Sequence, residues 1–174
     1  EHKAVLDVMQ YLQNLGAEIT YLPVQKDGLI DLNVLQNHIR KDTVAVVVML
    51  VNNETGVVQD IAAIAEMVNT HQSILICDAT QAIGKISIDF KALPIGVLIG
   101  SAHKFHGPKG VGFHLIKRKQ PRVSVSPLIL GGAQQNGRRS GTLNVAGIVG
   151  MAKALQCCRT KDFVEVQHLG ALLQ

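Results

Sequence analysis

The run Thr43 to Val51 has no polar side chain after its first position, is rich in β-branched residues, and is bounded by Lys41-Asp42 on one side and Asn52-Asn53 on the other. An extended segment that is apolar on both faces must be covered on both faces, and that arrangement belongs to strands in a parallel sheet flanked by helices. Three further short apolar runs follow: Ser73 to Cys77, ending at Asp78; Ile95 to Gly100; and Gly112 to Ile116. Between and around them the apolar period changes from strand-like to helical. Ala4, Val5, Val8, Met9, Leu12 and Leu15 predict an amphipathic helix that Gly16 stops, and Ile61, Ile64, Ala65 and Val68 predict another. Glu18 to Val24 alternates like a strand, Lys26-Asp27-Gly28 turns the chain, and Asp31 caps a short helix through Ile39. A last helix is expected from about Val145 through Gln156. Strand-helix alternation of this kind gives an α/β fold, an open and mainly parallel central sheet with right-handed crossovers.

Composition closes off several classes of function. The 174 residues suffice for one domain with a sizeable core, and 47% hydrophobic against 17% charged residues argues against disorder. A net charge of +4 suits an anionic ligand, but aromatics are only 3% and no lysine/arginine blocks interleave with them, so nucleic acid is not an expected partner. The apolar run at 43–51 is too short to cross a bilayer and no signal peptide opens the chain, so neither a membrane nor export is expected and the cytoplasm is the default location. Cys77, Cys157 and Cys158 form no disulfide framework and lack the spacing of a zinc site; all three read as reduced, buried structural cysteines.

The stretch richest in chemistry runs from Ser101 to Gly110, with Lys104 between His103 and Phe105-His106 and a Gly107-Pro108 turn behind it. It follows an apolar strand and shows no amphipathic repeat that would place the lysine outside. A lysine in such a loop is expected to be desolvated, which frees its amine to attack an aldehyde. In open α/β sheets ligands sit beyond the carboxyl ends of the strands. Asn52-Asn53, Asp78 and Ser101 to Lys104 follow three such strands, which delivers an amide, a carboxylate and an amine to one edge. Each also has a plain structural reading: Asp78 as a helix cap, Asn53 as a turn residue, His103 as a satisfied imidazole. The glycine-rich stretch from Gly131-Gly132 to Thr142, with Arg138 and Arg139, reads either as an anion loop or as a flexible surface loop.

Ser101 to Gly110 resembles the pyridoxal-phosphate lysine segment of the cysteine desulfurases. Four other stretches are similar to the same family in the same order: Glu1 to Val5, Val51 to Gly56, Asp78 to Gln81, and Arg139 to Thr142. The resemblance implies a three-layer α/β/α large domain over residues 1–160, with 161–174 starting a helix toward a small domain. It implies pyridoxal 5'-phosphate as cofactor. Lys104 would hold its aldehyde carbon and exchange it for the substrate amine, and Asp78 would pair with its pyridine nitrogen. His2 would stack on the ring and shuttle protons. Asn53 and Gln81 would bond the phenolic-oxygen side or the substrate carboxylate, Ser101 and His103 would hold the phosphate, and Thr142 would reach the phosphate of the neighbouring subunit in a homodimer.

The implied activity converts L-cysteine to L-alanine and passes sulfur as a persulfide toward acceptor or iron-sulfur scaffold proteins. Selenocysteine lyase shares every motif quoted. A fold-type aminotransferase is further away, because Val51 to Gly56 has the desulfurase form. A non-catalytic scaffold domain is the reading from another class, and the retained Lys104, Asp78 and His2 count against it. The chain departs from the family pattern at Gln135, Asn136 and Gly96, where glutamate, arginine and aspartate are usual. It opens on Glu1-His2 without a methionine and reads as a piece of a longer protein. By resemblance the phosphate loop, the arginine for the substrate carboxylate and the mobile acceptor cysteine lie outside it, so the isolated chain is expected to be inactive.

Overall fold

A computed structural model describes residues 1–118 and 123–159. The helix and the domain boundary expected around 161–174 lie outside the described residues. In chain order come α1 (Lys3–Asn14), α2 (Leu32–His38), β1 (Ala45–Met49), α3 (Ile61–Thr70), β2 (Ile74–Asp78), β3 (Val97–Ser101), a 3-10 turn (Ala102–Phe105), β4 (Gly112–Ile116), a single turn α4 (Gln134–Gly137) and α5 (Val145–Arg159). The four strands form one sheet in the order β1-β2-β3-β4. β1 and β2 are parallel, as are β2 and β3, whereas β4 runs antiparallel to β3. That last reversal follows from chain length, since a parallel return needs a crossover of a dozen or more residues and only the 3-10 turn and a short loop separate Ser101 from Gly112.

Apolar period and capping chemistry account for the helices. Ile61, Ile64, Ala65 and Val68 of α3 are all buried, the stripe that helical spacing predicts, and the helix packs on β2. Asp60 caps it by accepting the Ala63 N–H at 3.0 Å, and Asp31 caps α2 through the N–H groups of Asn33 and Val34. With them, Leu35, Val48, Leu75, Ile95, Leu98 and Phe105 make the core continuous.

Two expectations are corrected. Glu18 to Val24 is not a strand; only a single bridge between Val24 and Ile30 is formed, because alternation alone makes no strand without a neighbouring backbone to pair with. Glu18 is instead tied through its carboxylate to Arg40, which also binds Asp42. α1 forms where expected, and Gly16 just beyond it has φ +95, but none of its residues is buried and Val8 and Leu15 stay exposed.

One lysine fixes the connection between β2 and β3. Lys117 Nζ donates to the carbonyls of Phe90, Lys91 and Leu93 at 3.2, 2.8 and 2.5 Å and lies 5.7 Å from the centre of the Phe90 ring. Asp89 closes the other side of the same turn by accepting the N–H groups of Lys91 and Ala92. Replacing Lys117 by Met leaves three carbonyls without their donor. A loss of about 1–3 kcal/mol is expected, read as a lower urea midpoint with an unchanged slope.

Candidate functional site

The sheet register lines up the carboxyl ends of its parallel strands. Met49 of β1 pairs with Asp78 of β2, and Asp78 with Ile99 of β3. Beyond that level the ladder continues for one step on each side, with Leu50 N–H on Asp78 O at 2.9 Å and Ala79 N–H on Ile99 O at 3.0 Å. Asp78, Ser101 and the residues after Met49 therefore come to one edge by backbone pairing alone.

At the end of β2, Asp78 is half-buried. Its Oδ1 accepts the Thr80 N–H at 2.9 Å, and among the described residues no hydrogen bond engages Oδ2. Asp78 thus closes a turn rather than capping a helix, since among the described residues no helix lies between β2 and β3, and half of the carboxylate is left over. Its predecessor Cys77 points into the core, and burial, helped by the nearby charges of Asp78 and Glu1, pushes the thiol up to about 12. The Glu1 carboxylate accepts the Met49 N–H at 2.8 Å at the end of β1; burial of that carboxyl raises its pKa, with the Met49 hydrogen bond opposing.

After β3 the chain enters its 3-10 turn, where side chains three apart share a face. Ala102 and Phe105 are buried, which leaves His103 and Lys104 outside. The expected desolvation of Lys104 is thereby corrected: the residue is exposed, because the period of the turn puts its core contacts on either side of it. Its amine makes no hydrogen bond or ion pair among the described residues. The turn is closed by Gly107 N–H on Ala102 O at 2.9 Å and by Ala102 N–H on Val111 O at 3.0 Å, and a Cβ at Gly107 would meet the Ala102 Cβ at 2.8 Å. The Ser101 hydroxyl and His103 Nδ1 are 2.9 Å apart in a hydrogen bond.

The remaining candidates fall around this edge to different degrees. After β1, Asn52 rather than Asn53 builds the turn: its Oδ1 accepts from the N–H groups of Glu54 and Thr55 and from the Thr55 hydroxyl, while Asn53 is exposed at the tip. Gln81 is half-buried just past β2 and its Oε1 is held by the Lys85 ammonium at 2.7 Å. Lys85 was not singled out by motif reading, although its place four residues after Gln81 was a visible signal. His2 is the N-cap of α1, accepting the Ala4 N–H on Nδ1 at 3.1 Å, so a neutral ring carries its proton on Nε2. Thr142 is exposed in a loop that Arg139 ties together through the Gly141 and Thr142 carbonyls. In that loop Gln135 and Asn136, two of the departures from the family pattern, both have positive φ. A cleft of about 450 Å³ lies beside the site, lined by Ile83 to Ile88, Leu98, Phe113 and Leu155; none of the predicted site residues lines it.

The family model for aminotransferase class-V matches residues 1–174. The chain belongs to the aminotransferase class-V family. This class-V chain is 46% identical over 176 residues to a protein named cysteine desulfurase IscS from Buchnera aphidicola, an alignment covering 99% of the chain and 43% of the relative. A solved NifS-like protein superposes with a TM-score of 0.86 at 43% identity, covering 91% of the chain and 43% of that protein. A structure titled SspA in complex with cysteine superposes at 0.90 with 33% identity, covering 99% and 50%. The chain thus spans less than half the length of the curated relatives it matches. Among the described residues, no helix is long and apolar enough to cross a membrane.

The cysteines divide differently from the sequence reading. Cys77 and Cys158 are buried, Cys158 donating to the Phe105 carbonyl at 3.5 Å, but Cys157 is exposed on the outer side of α5. Burial holds the Cys77 thiol protonated, so it is a poor nucleophile in the folded chain. Iodoacetamide applied to the native protein is expected to spare Cys77 and Cys158 and to reach both only after unfolding in urea, as peptide mass spectrometry would show. Native-state alkylation of Cys77 on the timescale of an exposed thiol would contradict its placement.

Proposed function

We propose that this chain is the cofactor-binding core of a cysteine desulfurase. The whole protein takes L-cysteine to L-alanine and leaves the sulfur on a protein thiol as a persulfide, for iron-sulfur cluster assembly or thiolation. The observation that carries this reading is the carboxyl edge of the sheet. A carboxylate with one oxygen uncommitted ends β2, and an exposed amine follows the adjacent parallel strand on a rigid turn. Relatives bearing the name cysteine desulfurase align along the whole chain, which supports the same substrate.

The donor set fits pyridoxal 5'-phosphate. When bound, that cofactor supplies an aldehyde that reacts with amines and a ring that draws electrons from the substrate carbon. Lys104 would attach it; among the site residues it alone offers an amine outside the core, and among the described residues no hydrogen bond or ion pair competes for that amine. Asp78 would keep the pyridine nitrogen protonated through the oxygen that Thr80 leaves open. Ser101 and His103, already paired with each other, would take the phosphate. Gln81, Asn53 and the Nε2–H of His2 would serve the ring and the substrate carboxylate, and His2 would relay protons.

A thiol acceptor has to be reachable, and Cys77 and Cys158 are buried in the core; by the same family reading the acceptor cysteine lies on a mobile loop of the whole protein rather than at any of these positions. Homodimer formation belongs to the same reading. Leu128 is 96% exposed, and Leu130, Val145 and Val149, on either side of Thr142 in sequence, are also open. A cytoplasmic location goes with three cysteines that form no disulfide framework.

In the whole protein, Lys104→Ala is expected to abolish covalent capture of pyridoxal phosphate, measured as loss of the borohydride-fixed adduct in the intact mass. A fixed adduct that persists in Lys104→Ala would sink the assignment. Asp78→Ala is expected to retain the adduct and to lower alanine formation by on the order of 10²-fold, since one preorganised charge partner of the ring is gone.

A further inference from the structure

Lys85 has no role in the reading above; it is an exposed residue with one fixed side-chain partner. Its ammonium donates to Gln81 Oε1 at 2.7 Å. The pair spans one turn of a helix-like segment after β2, in which the Ile83 N–H reaches Ala79 O and the Ile86 N–H reaches Ala82 O, both at 3.0 Å. A glutamine amide presents its oxygen and its nitrogen at nearly the same distance, so its shape selects neither orientation. An ammonium has donors only. Oε1 is therefore the atom turned to Lys85, and Nε2, with two N–H groups, is the atom left facing away.

The segment is also clamped in place. Gly84 has φ +79, and a Cβ there would lie 2.9 Å from the Phe105 Cβ and 3.2 Å from Cys158 Sγ. It packs directly against the turn that carries Lys104 and against α5. The charged and titratable groups facing Lys85 are Lys104 from that turn and the Cys158 thiol from α5. Burial first, and repulsion from Lys104 second, hold Lys85 below the usual lysine range.

Building on the cofactor reading above, we infer that Lys85 is a positioning residue: it locks the Gln81 amide with Nε2 as the donor toward the ring-oxygen side of pyridoxal phosphate, and its charge acts on that oxygen through the amide. A donor fixed at that place favours the anionic oxygen. Without the ammonium the amide turns freely and the oxygen loses both the donor and the cation behind it. Both losses favour the protonated form of the bound chromophore, so they act in the same direction on its titration.

The test is a pH titration of the visible band of the full-length protein loaded with pyridoxal phosphate. Lys85→Met, and independently Lys85→Gln, should move the midpoint up by about one pH unit at unchanged cofactor stoichiometry. Lys85→Arg, which keeps charge and donors, should restore the original midpoint. In a Gln81→Leu background the Lys85→Met change should add little, because the two act as one unit. A midpoint in Lys85→Met equal to that of the unaltered protein, or a full additional shift in the Gln81→Leu background, overturns the role of Lys85 while leaving the cofactor assignment standing. Failure of the unaltered protein to develop a Lys104-dependent visible band overturns the cofactor reading itself, and this role with it.

Discussion

Everything at the candidate site depends on the backbone ladder that holds β1, β2 and β3 parallel and in register. Parallel pairing sends all three carboxyl ends to one side, and the pairing of Met49 with Asp78 and of Asp78 with Ile99 sets their relative heights. No side chain at the site makes that alignment. It comes from peptide hydrogen bonds between apolar strands whose core face is buried, although the other face is only partly covered and Ile99 is exposed, and such bonds resist displacement because an unpaired N–H or C=O in the core has no water to turn to. The polar groups at the edge are thus delivered to fixed places by residues that take no part in chemistry.

The last few ångströms are set by close approach. The 3-10 turn after β3 is pinned by Ala102 and Phe105, and two glycines let neighbouring backbone come near it: Gly107 under Ala102, and Gly84 against Phe105 and Cys158. At either position a Cβ would collide with its neighbour at about 3 Å or less. The segment with Gln81 and Lys85 and the turn with Lys104 are consequently one packed unit, although they come from connections on either side of β3.

Where residues had only to satisfy local period or burial, the sequence was a good guide. The apolar runs at 43–51, 73–78, 95–100 and 112–116 each hold a strand, and the stripe Ile61, Ile64, Ala65, Val68 is the buried face of α3. It was a poor guide wherever the outcome depended on a partner. Glu18 to Val24 has the alternation of a strand and no ladder to join, and Cys157, taken for buried beside Cys158, faces out because neighbours on a helix point about 100° apart. Lys104 was expected inside because no helical repeat put it outside; a repeat of three was the period that mattered. The candidate residues at the strand ends were legible because α/β topology fixes where they go. The capping of α1 by His2 and the turn built by Asn52 were not, since each is a choice among several hydrogen bonds that a polar side chain can make, whereas the tie between Gln81 and Lys85 was legible in their spacing of four and passed over.

β2 shows how tightly core and site are linked. Along Leu75, Ile76, Cys77 and Asp78 burial alternates, with Leu75 and Cys77 in the core and Asp78 reaching the edge. Because the side-chain period of a strand is two, a slip of one residue against β1 would carry Cys77 to the face that Asp78 now uses and turn the carboxylate into the core. The thiol loses little by such an exchange, but a buried carboxylate without a partner costs several kcal/mol, even after the protein relaxes. Asp78 therefore enforces its own position: the charge proposed above to partner a cofactor nitrogen also makes the alternative register the expensive one. The same asymmetry explains why two adjacent residues differ so far in chemistry. Cys77 is held protonated by the burial that Asp78 escapes, and the Asp78 charge beside it pushes the thiol further in the same direction.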